Sequence, residues 1–512
     1  MKSENRTRSG RHPLSFRAFS LALATLSFVA SGLSAQTTLT YEDEQTRSDG
    51  IDTTAPNDPT TLRIDEGTAT QSGVISGSGG ITKTGEGELR LTSGANTYTG
   101  GTTIQGGILT ITSAWSTALG SGTLYLEGGI LNSTYDTAQT VTNAISVSGA
   151  NTINFYRRSN VLASTITGDS DAELILSNGN AVGAALTFNG DLSGYSGTVT
   201  LTSARGGFNY RFTESSSYLS TGKNAVWNIE GGAVLFYNGN TNDADGVTIE
   251  LGALEGAGTL RGGTTGGSGG TGTINIKIGN RNTDSTFSGV IEDGGTSTKL
   301  TKVGTGTLTL SGTNTYTGAT VVEAGALRVD GSIGAGDVTV SSGGILTGAG
   351  TIGGATTIEA GGILLGGGRT LSFASNLTLA GTTLLSVRST GYDRVSVAGT
   401  LTYGGDLDIL FTDSIEAGTY TLFETIEAAV ILGSFTSVSL GGESLTTVFL
   451  TSAGNGVWSG VFQGLSVLLT ESTGELVVGG AVPEPATVAG LIGCAGLLCA
   501  LLARRRVAGA RG

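Results

Sequence analysis

The chain has 512 residues, of which 87 are glycine, 38% are hydrophobic and only 13% are charged. Low charge with frequent Val, Ile and Leu excludes a disordered chain, and the scarcity of amphipathic helical patterns between residues 60 and 480 excludes a helical one. Between its two termini the chain carries a net charge of about −22, which excludes nucleic acid and anionic lipid as partners of the body.

Residues 1–35 have the pattern of a secretory signal peptide. Basic residues precede the apolar segment AFSLALATLSFVASGLSA, which ends in small residues, so cleavage is predicted after Ala35. An uncleaved N-terminal anchor is the alternative. Both interpretations predict that the protein is exported.

The distribution of cysteine and histidine limits the chemistry of the exported body. Cys494 and Cys499 lie in a C-terminal apolar run, and His12 lies in the signal peptide. Removal of both termini leaves no disulfide framework, no thiolate or imidazole metal site and no histidine-dependent catalysis. We therefore expect no catalytic residue, no metal site and no cofactor.

Residues 36–70 are predicted to form an N-terminal cap or linker, and residues 71–370 a repetitive body. One long unit occurs twice, at 72–111 and at 288–329, with shared SGVI, T-K-x-G-x-G-x-L-x-L and NTYTG motifs. The alternation in GELRLT and GTLTLS predicts half-buried strands. One turn cannot bury its inner face alone, so the predicted fold is an all-β solenoid of stacked turns.

The NTYTG motif supplies the candidate structural residues of each repeat. They are two equivalent sets of an asparagine, a tyrosine and a glycine: Asn96, Tyr98 and Gly100, and Asn314, Tyr316 and Gly318. The asparagines are predicted to close a local turn, the tyrosines to cover the core at a corner, and the glycines to permit positive φ. Sugar binding by tyrosine and threonine side chains on regular turns is the alternative to core packing.

Residues 371–480 continue the alternating β pattern with longer strands. They are predicted to form further solenoid or another β-rich part. A separate β-sandwich is the alternative for this segment, because alternation of period two suits both architectures.

The two long units resemble autotransporter-associated β-strand repeats, which occur in passenger proteins on Gram-negative cell surfaces. The resemblance implies a right-handed parallel β-helix. It covers 72–111 and 288–329 specifically. The chain departs from that family at its C-terminus, where an apolar run and arginines stand in place of the strands of a translocator barrel.

Residues 481–512 resemble the PEP-CTERM sorting signal of exosortase substrates. The motif Pro483, Glu484 and Pro485 precedes an uncharged run at 486–503 and the cluster Arg504, Arg505 and Arg506. The run is long enough for a single transmembrane helix. The resemblance implies an exosortase-type processing enzyme as partner and a transient inner-membrane anchor. A plain C-terminal anchor is the alternative.

Acidic residues offer the remaining chemistry. Asp243 and Asp245 lie in NGNTNDADG, where paired carboxylates could hydrolyse a glycoside, although a solvated loop explains them better. The EF-hand template does not fit this segment. We therefore expect an exported, non-enzymatic cell-surface or extracellular-matrix protein, structural or adhesin-like, with exopolysaccharide as a further partner. The alternative is a secreted β-helix enzyme that acts on polysaccharide through residues 243–245.

Overall fold

A computed structural model describes most of the chain between its two termini. The described residues are 37–54, 59–156, 158–179, 184–203, 208–213, 221–238, 246–263, 273–413, 415–426, 430–442 and 447–481. All of them belong to one compact unit, residues 36–512. The predicted signal peptide, Asp243, Asp245 and the predicted sorting signal from 482 onward lie outside the described residues.

The body is a parallel β-solenoid whose turns each pass through three faces. We call these the leading, central and trailing faces, in the order in which the chain crosses them. The central face is the longest, and its parallel strands are Thr46–Arg47, Thr68–Gln71, Glu88–Leu91, Ile108–Ile111, Ile130–Ser133, Ala150–Tyr156, Glu173–Gly179, Thr198–Thr202, Val226–Ile229, Ala253–Gly256, Ser285–Phe287, Thr307–Leu310, Gly325–Val329, Gly344–Gly348, Ile363–Leu365, Thr382–Arg388, Asp406–Phe411 and Ser437–Gly442. Gly391–Tyr392 and Val448–Phe449 pair with it antiparallel.

The leading face consists of two parallel sheets. The first contains seven strands: Thr38–Tyr41, Thr60–Ile64, Ile81–Thr84, Thr102–Ile104, Leu124–Leu126, Ile145–Val147 and Ile166–Gly168. The second contains nine strands: Val247–Leu251, Ile274–Ile278, Thr298–Lys302, Thr320–Val322, Val338–Val340, Thr356–Ile358, Leu377–Leu379, Leu401–Tyr403 and Ile431–Gly433. Between them a 3₁₀ helix, Thr221–Asn224, occupies this face.

The trailing face is the most irregular. Its sheets contain Ile51–Asp52 and Ile75–Ser76, then Thr140–Val141, Asn160–Leu162, Ala185–Phe188, Phe208–Phe212, Ala233–Tyr237, Thr259–Arg261 and Val290–Glu292, then Ser332–Ile333, Thr351–Ile352, Thr370–Phe373, Arg394–Val397 and Phe423–Thr425. A short α-helix, Trp115–Ala118, replaces a strand in one turn, where the Trp115 ring stacks on Phe155. The all-β solenoid predicted from the repeats is therefore confirmed, with a right-handed type of coil.

A five-stranded antiparallel sheet packs against the C-terminal end of the solenoid, and we call it the C-terminal cap. One of its strands, Gly418–Thr421, comes from before the last turn, and the other four follow that turn. Its order is Gly418–Thr421, Glu475–Ala481, Leu465–Thr470, Val457–Phe462 and Thr451–Gly454. Phe462 stacks on Phe411 of the central face. The carboxylate Oε1 of Glu471 accepts hydrogen bonds from Ser434, Phe435 and Trp458, which ties the cap to the last turn.

Register explains why the inner face is continuous. On the central face one inward column runs through directly paired residues: Leu89, Leu109, Leu131, Ile153, Leu176, Leu201 and Ile229. All of them are buried. Because side chains alternate along a strand, a slip of one residue in any turn would bring polar side chains into this column.

The structure contains, within its described residues, no helix long and apolar enough to cross a membrane. The run predicted to form the transmembrane helix, 486–503, lies outside those residues.

Glycine is required at corners where successive turns come very close. A Cβ atom built on Gly318 would lie 2.3 Å from the carbonyl oxygen of Thr298 in the preceding turn, whereas one on Gly231 would meet nothing within 4 Å. Neither glycine has positive φ. We therefore expect Gly318→Ala to destabilise its turn by about 1–3 kcal/mol, and Gly231→Ala to change stability by less than about 0.5 kcal/mol. Amide hydrogen exchange of residues 298–322 measures the effect, and equal protection in the two variants would contradict it.

Candidate functional site

The two repeats hold one lysine each inside the solenoid. Lys83 and Lys302, from the shared T-K-x-G motif, are 0% and 1% exposed. The Lys83 ammonium donates to three backbone carbonyls, those of Thr84, Gly85 and Gly106, at 2.7–3.1 Å. The Lys302 ammonium donates in the same way to Val303, Gly304 and Ala324. In both repeats the third carbonyl belongs to the next turn, so the lysine joins two turns.

Burial changes the acidity of both ammonium groups. Loss of hydration lowers the pKa of Lys83 and of Lys302 from 10.5 to about 8, and nearby carboxylates oppose the shift only in part. An ammonium group has three donors and no acceptor, so three converging carbonyls satisfy it completely. The sequence alone does not single out these lysines, because a charged residue in an alternating strand ordinarily points to solvent.

The candidate asparagines of the repeats bridge turns. Asn96 accepts from the amide of Ile75, 21 residues earlier, and donates to the carbonyl of Ala118, 22 residues later. Asn314 accepts from Ile291 in the same way and donates to Ser332. One further bond, from Asn314 to the carbonyl of Gly312, is local. The main contacts of these side chains therefore lie between turns, and not within the local turn that the motif suggested.

The candidate tyrosines are fully buried. Tyr98 and Tyr316 are 0% and 1% exposed, and each hydroxyl lies 2.6 Å from the hydroxyl of a threonine four residues later, Thr102 or Thr320. Burial raises the pKa of both tyrosines. A side chain in this position contributes to the core and cannot contact a sugar.

The candidate glycines serve close packing. Gly100 and Gly318 do not have positive φ. A Cβ on Gly100 would lie 2.3 Å from the backbone carbon of Gly79, so the missing side chain leaves room for the preceding turn. Positive φ, which the motif suggested, is therefore not the reason for glycine at these positions.

Three aspartates of the described chain, Asp293, Asp406 and Asp408, accept hydrogen bonds from neighbouring residues. Asp406 and Asp408 each accept from a serine of the next central strand at 2.6 Å, Ser437 or Ser439. Asp293 accepts from the amide and hydroxyl of Thr317. Within the described ranges no group of three or more metal-ligating side chains comes together.

The outer surface of the central face carries a polar groove of about 300 Å³ that begins in the first repeat and continues onto the turn after it. Six side chains line it: Glu88, Arg90, Thr110, Thr112, Asn132 and Thr134. Burial works against ionisation of Glu88, but hydrogen bonds from Arg90, Thr110 and Thr68 and the charge of Arg90 outweigh it and lower the pKa of Glu88. We call these six residues the outer groove.

The outer groove presents neutral hydrogen-bonding groups. Glu88 and Arg90 neutralise each other in an ion pair of 2.9 Å. The side chain of Arg90 remains half exposed, and Thr112 and Thr134 add hydroxyls along the direction in which turns stack. No local sequence pattern indicates this surface, because its residues come from three successive turns.

Comparison with known proteins supports the predicted repeats and finds one adhesin to which part of the chain is similar. Residues 81–111 and 300–329 match the passenger-associated-transport-repeat family, which confirms the predicted autotransporter-associated repeats within those ranges. The chain is 34% identical over 271 residues to the adhesin BmaC autotransporter of Brucella suis biovar 1 (strain 1330). The aligned region covers 51% of this chain and 7% of that protein, so the chain spans only a small part of its relative. Both matched ranges contain the buried lysine, the asparagine and the tyrosine.

Replacement of a buried lysine should lower the local stability of the two turns that it joins. We expect Lys302→Met to lower the local stability of the second repeat by about 2 kcal/mol, because three carbonyls lose a charged donor. Lys299→Met is the matched control, since Lys299 lies outward in the same strand, Thr298–Lys302; it should change stability by less than about 0.5 kcal/mol. Hydrogen exchange around residues 300–329 reports both, and equal effects would contradict an inter-turn role.

The same lysine gives this prediction a pH signature. Between pH 8 and 10.5 the unfolded state binds more protons at Lys302 than the folded state, so the free energy of unfolding should rise with pH through this window. The buried tyrosines act oppositely above about pH 10, where unfolded tyrosine ionises. Lys302→Met should remove the contribution of Lys302 to the rise from pH 8, while the contribution of Lys83 in the first repeat and the loss above pH 10 remain.

Proposed function

We propose that this chain is an exported, non-enzymatic, adhesin-like surface protein. The observation that carries the proposal is the duplicated set of buried side chains, one lysine, one asparagine and one tyrosine in each repeat. Both sets fall inside the two ranges that match the passenger-associated-transport repeat. The similarity to an adhesin over half of the chain supports the same interpretation. The solenoid then acts as a scaffold, and recognition takes place on its outer surface.

The outer groove is the surface that we assign to recognition of exopolysaccharide. Hydroxyl, amide and guanidinium groups bind sugar hydroxyls by hydrogen bonds, and repetition along stacked turns suits a polymer. The internal pairing of Glu88 with Arg90 favours a neutral sugar over a strongly charged one.

Sorting through the C-terminal tail is the second part of the proposal. Its basis is the sequence Pro483, Glu484 and Pro485, the uncharged run 486–503 and the arginine cluster Arg504–Arg506. An exosortase-type enzyme would process the tail while the run holds the chain transiently in the inner membrane. The processed protein would then reach the cell surface or the extracellular matrix.

The groove can be tested by binding. Arg90→Ala with Asn132→Ala should weaken binding of the intact protein to the exopolysaccharide of its own cells by about 5–150-fold, since each of the two lost hydrogen bonds contributes about 0.5–1.5 kcal/mol. Arg328→Ala is the control, because Arg328 lies outward on the central face of the second repeat and pairs with Asp330. Unchanged binding in the double variant would remove the groove from the proposal.

The enzymatic alternative is tested with the native protein and a separate variant of the two aspartates. Polysaccharide degradation that disappears in Asp243→Asn with Asp245→Asn would support an enzyme that uses these carboxylates. Equal degradation in the variant and the native protein excludes that site.

Sorting can be tested in cells. Replacement of Pro483, Glu484 and Pro485 by alanine should leave the full-length chain in the inner membrane, whereas Arg511→Gln, outside the arginine cluster, should leave processing unchanged. Mass spectrometry of the mature C-terminus measures the outcome. A native protein that retains Gly512 would contradict processing and favour a plain anchor.

A further inference from the structure

Exposed apolar side chains concentrate near the C-terminal end of the described sequence. Of the nine large hydrophobic residues that are well exposed within the described ranges, seven lie between 426 and 477: Ile426, Val430, Leu432, Phe449, Val461, Leu468 and Val477. The turns of the solenoid that precede them contribute only Val74 and Tyr125. Such a cluster of exposed apolar side chains indicates a surface that another segment or molecule covers.

Three of these residues form the outer face of the C-terminal cap. Leu468 and Val477 lie directly opposite each other in neighbouring strands, and Val461 lies in the strand on the other side of Leu468. They are 49% (Val461), 40% (Leu468) and 37% (Val477) exposed. Their opposite faces are occupied, because the alternating residues Trp458, Leu469 and Leu476 are buried in the core.

This face is poor in charge. Residues 447–481 contain two charged residues, Glu471 and Glu475, and no lysine or arginine. Glu471 is buried and points to the last turn of the solenoid. The neighbours of Leu468 and Val477 across the sheet are Ser459 and Thr419. Glu475 lies on the same face, two residues before Val477, and is the one charged residue of 447–481 on it. An apolar partner that covers Val461, Leu468 and Val477 therefore meets a single carboxylate.

The chain itself supplies such a partner within reach. The last strand, Glu475–Ala481, carries Val477 on this face and ends four residues before the uncharged run 486–503 begins. Residues 482–485 can span about 14 Å when extended, and Val477 lies about 13 Å from the end of its strand. The run can therefore fold back over the cap.

Charge and concentration favour the same occupant. The four arginines after residue 503 are opposed only by Glu484 within the tail, and the body is strongly acidic, so the two attract each other. A tethered segment acts at an effective concentration in the millimolar range, which a second copy of the chain does not reach in dilute solution.

We propose that the outer face of the C-terminal cap, Val461, Leu468 and Val477, binds the apolar run 486–503 of the same chain and shields it from water before the run enters a membrane. The cap is then a holding site for the tail. The proposal does not depend on processing at Pro483–Pro485 or on binding of exopolysaccharide.

The two native cysteines allow a direct test in the full-length, unprocessed protein. Cys494 and Cys499 are the only cysteines, and both lie in the run. With Leu468→Cys in a glutathione redox buffer, we expect an intramolecular disulfide from position 468 to Cys494 or Cys499. Tyr125→Cys is the matched control, because Tyr125 is also 40% exposed. The yield at 468 should exceed that at 125 by about tenfold, measured by peptide mass spectrometry after digestion without reduction.

Each other outcome overturns the proposal. Equal yields at the two positions, or no disulfide at 468, would show that the run does not rest on the cap. Disulfides between two chains at position 468 would assign the face to a second copy. A further variant tests whether the apolar face itself causes the contact. Adding Val461→Ser and Val477→Ser to Leu468→Cys should lower the disulfide yield several-fold. An unchanged yield would reject binding by this apolar face.

Discussion

The structure depends on the register between successive turns. No turn of this chain can satisfy its own backbone or bury its own inner face, and both needs are met only by the turns before and after it. The inward column from Leu89 to Ile229 shows the result, since each residue lies on its exact equivalent in the next turn. Everything that fixes one turn on another therefore stabilises the whole body.

The corners are where this requirement is hardest to meet. Within a strand, the backbone amides and carbonyls pair regularly with those of the neighbouring strand. At a bend, some carbonyls and amides point away from this ladder and need other partners. In the two repeats, buried side chains form hydrogen bonds with these backbone groups. Lys302 gathers three carbonyls from two turns, and Asn314 supplies an acceptor to one turn and a donor to another. Burying an ammonium group is costly, and complete hydrogen bonding offsets that cost.

The strands could be predicted from the sequence, and the corners could not. GELRLT and GTLTLS alternate with period two, and this local pattern determines which side chains point inward. The motif around Asn96 predicts a local turn because the motif is local, whereas the hydrogen-bond partners Ile75 and Ala118 belong to other turns. The burial of Lys83 cannot be predicted for a related reason, since only the stacking of turns brings the carbonyl of Gly106 to it. The outer groove needs three turns in register before it exists at all.

Comparison of the two repeats separates the side chains that support the fold from those that only shape the outer surface. Inside, the equivalent positions are alike: Leu89 and Leu91 correspond to Leu308 and Leu310, and all four are buried. Outside, the same strands differ, because Glu88 and Arg90 correspond to Thr307 and Thr309.

The next turn shows the same contrast. Thr110 of the first repeat corresponds to Arg328 of the second, while the buried Leu109 corresponds to Leu327. Stacking constrains the inner face in every turn, and it leaves the outward side chains free to vary. A solenoid built in this way can change its outer surface, turn by turn, without changing the interactions that hold its turns together.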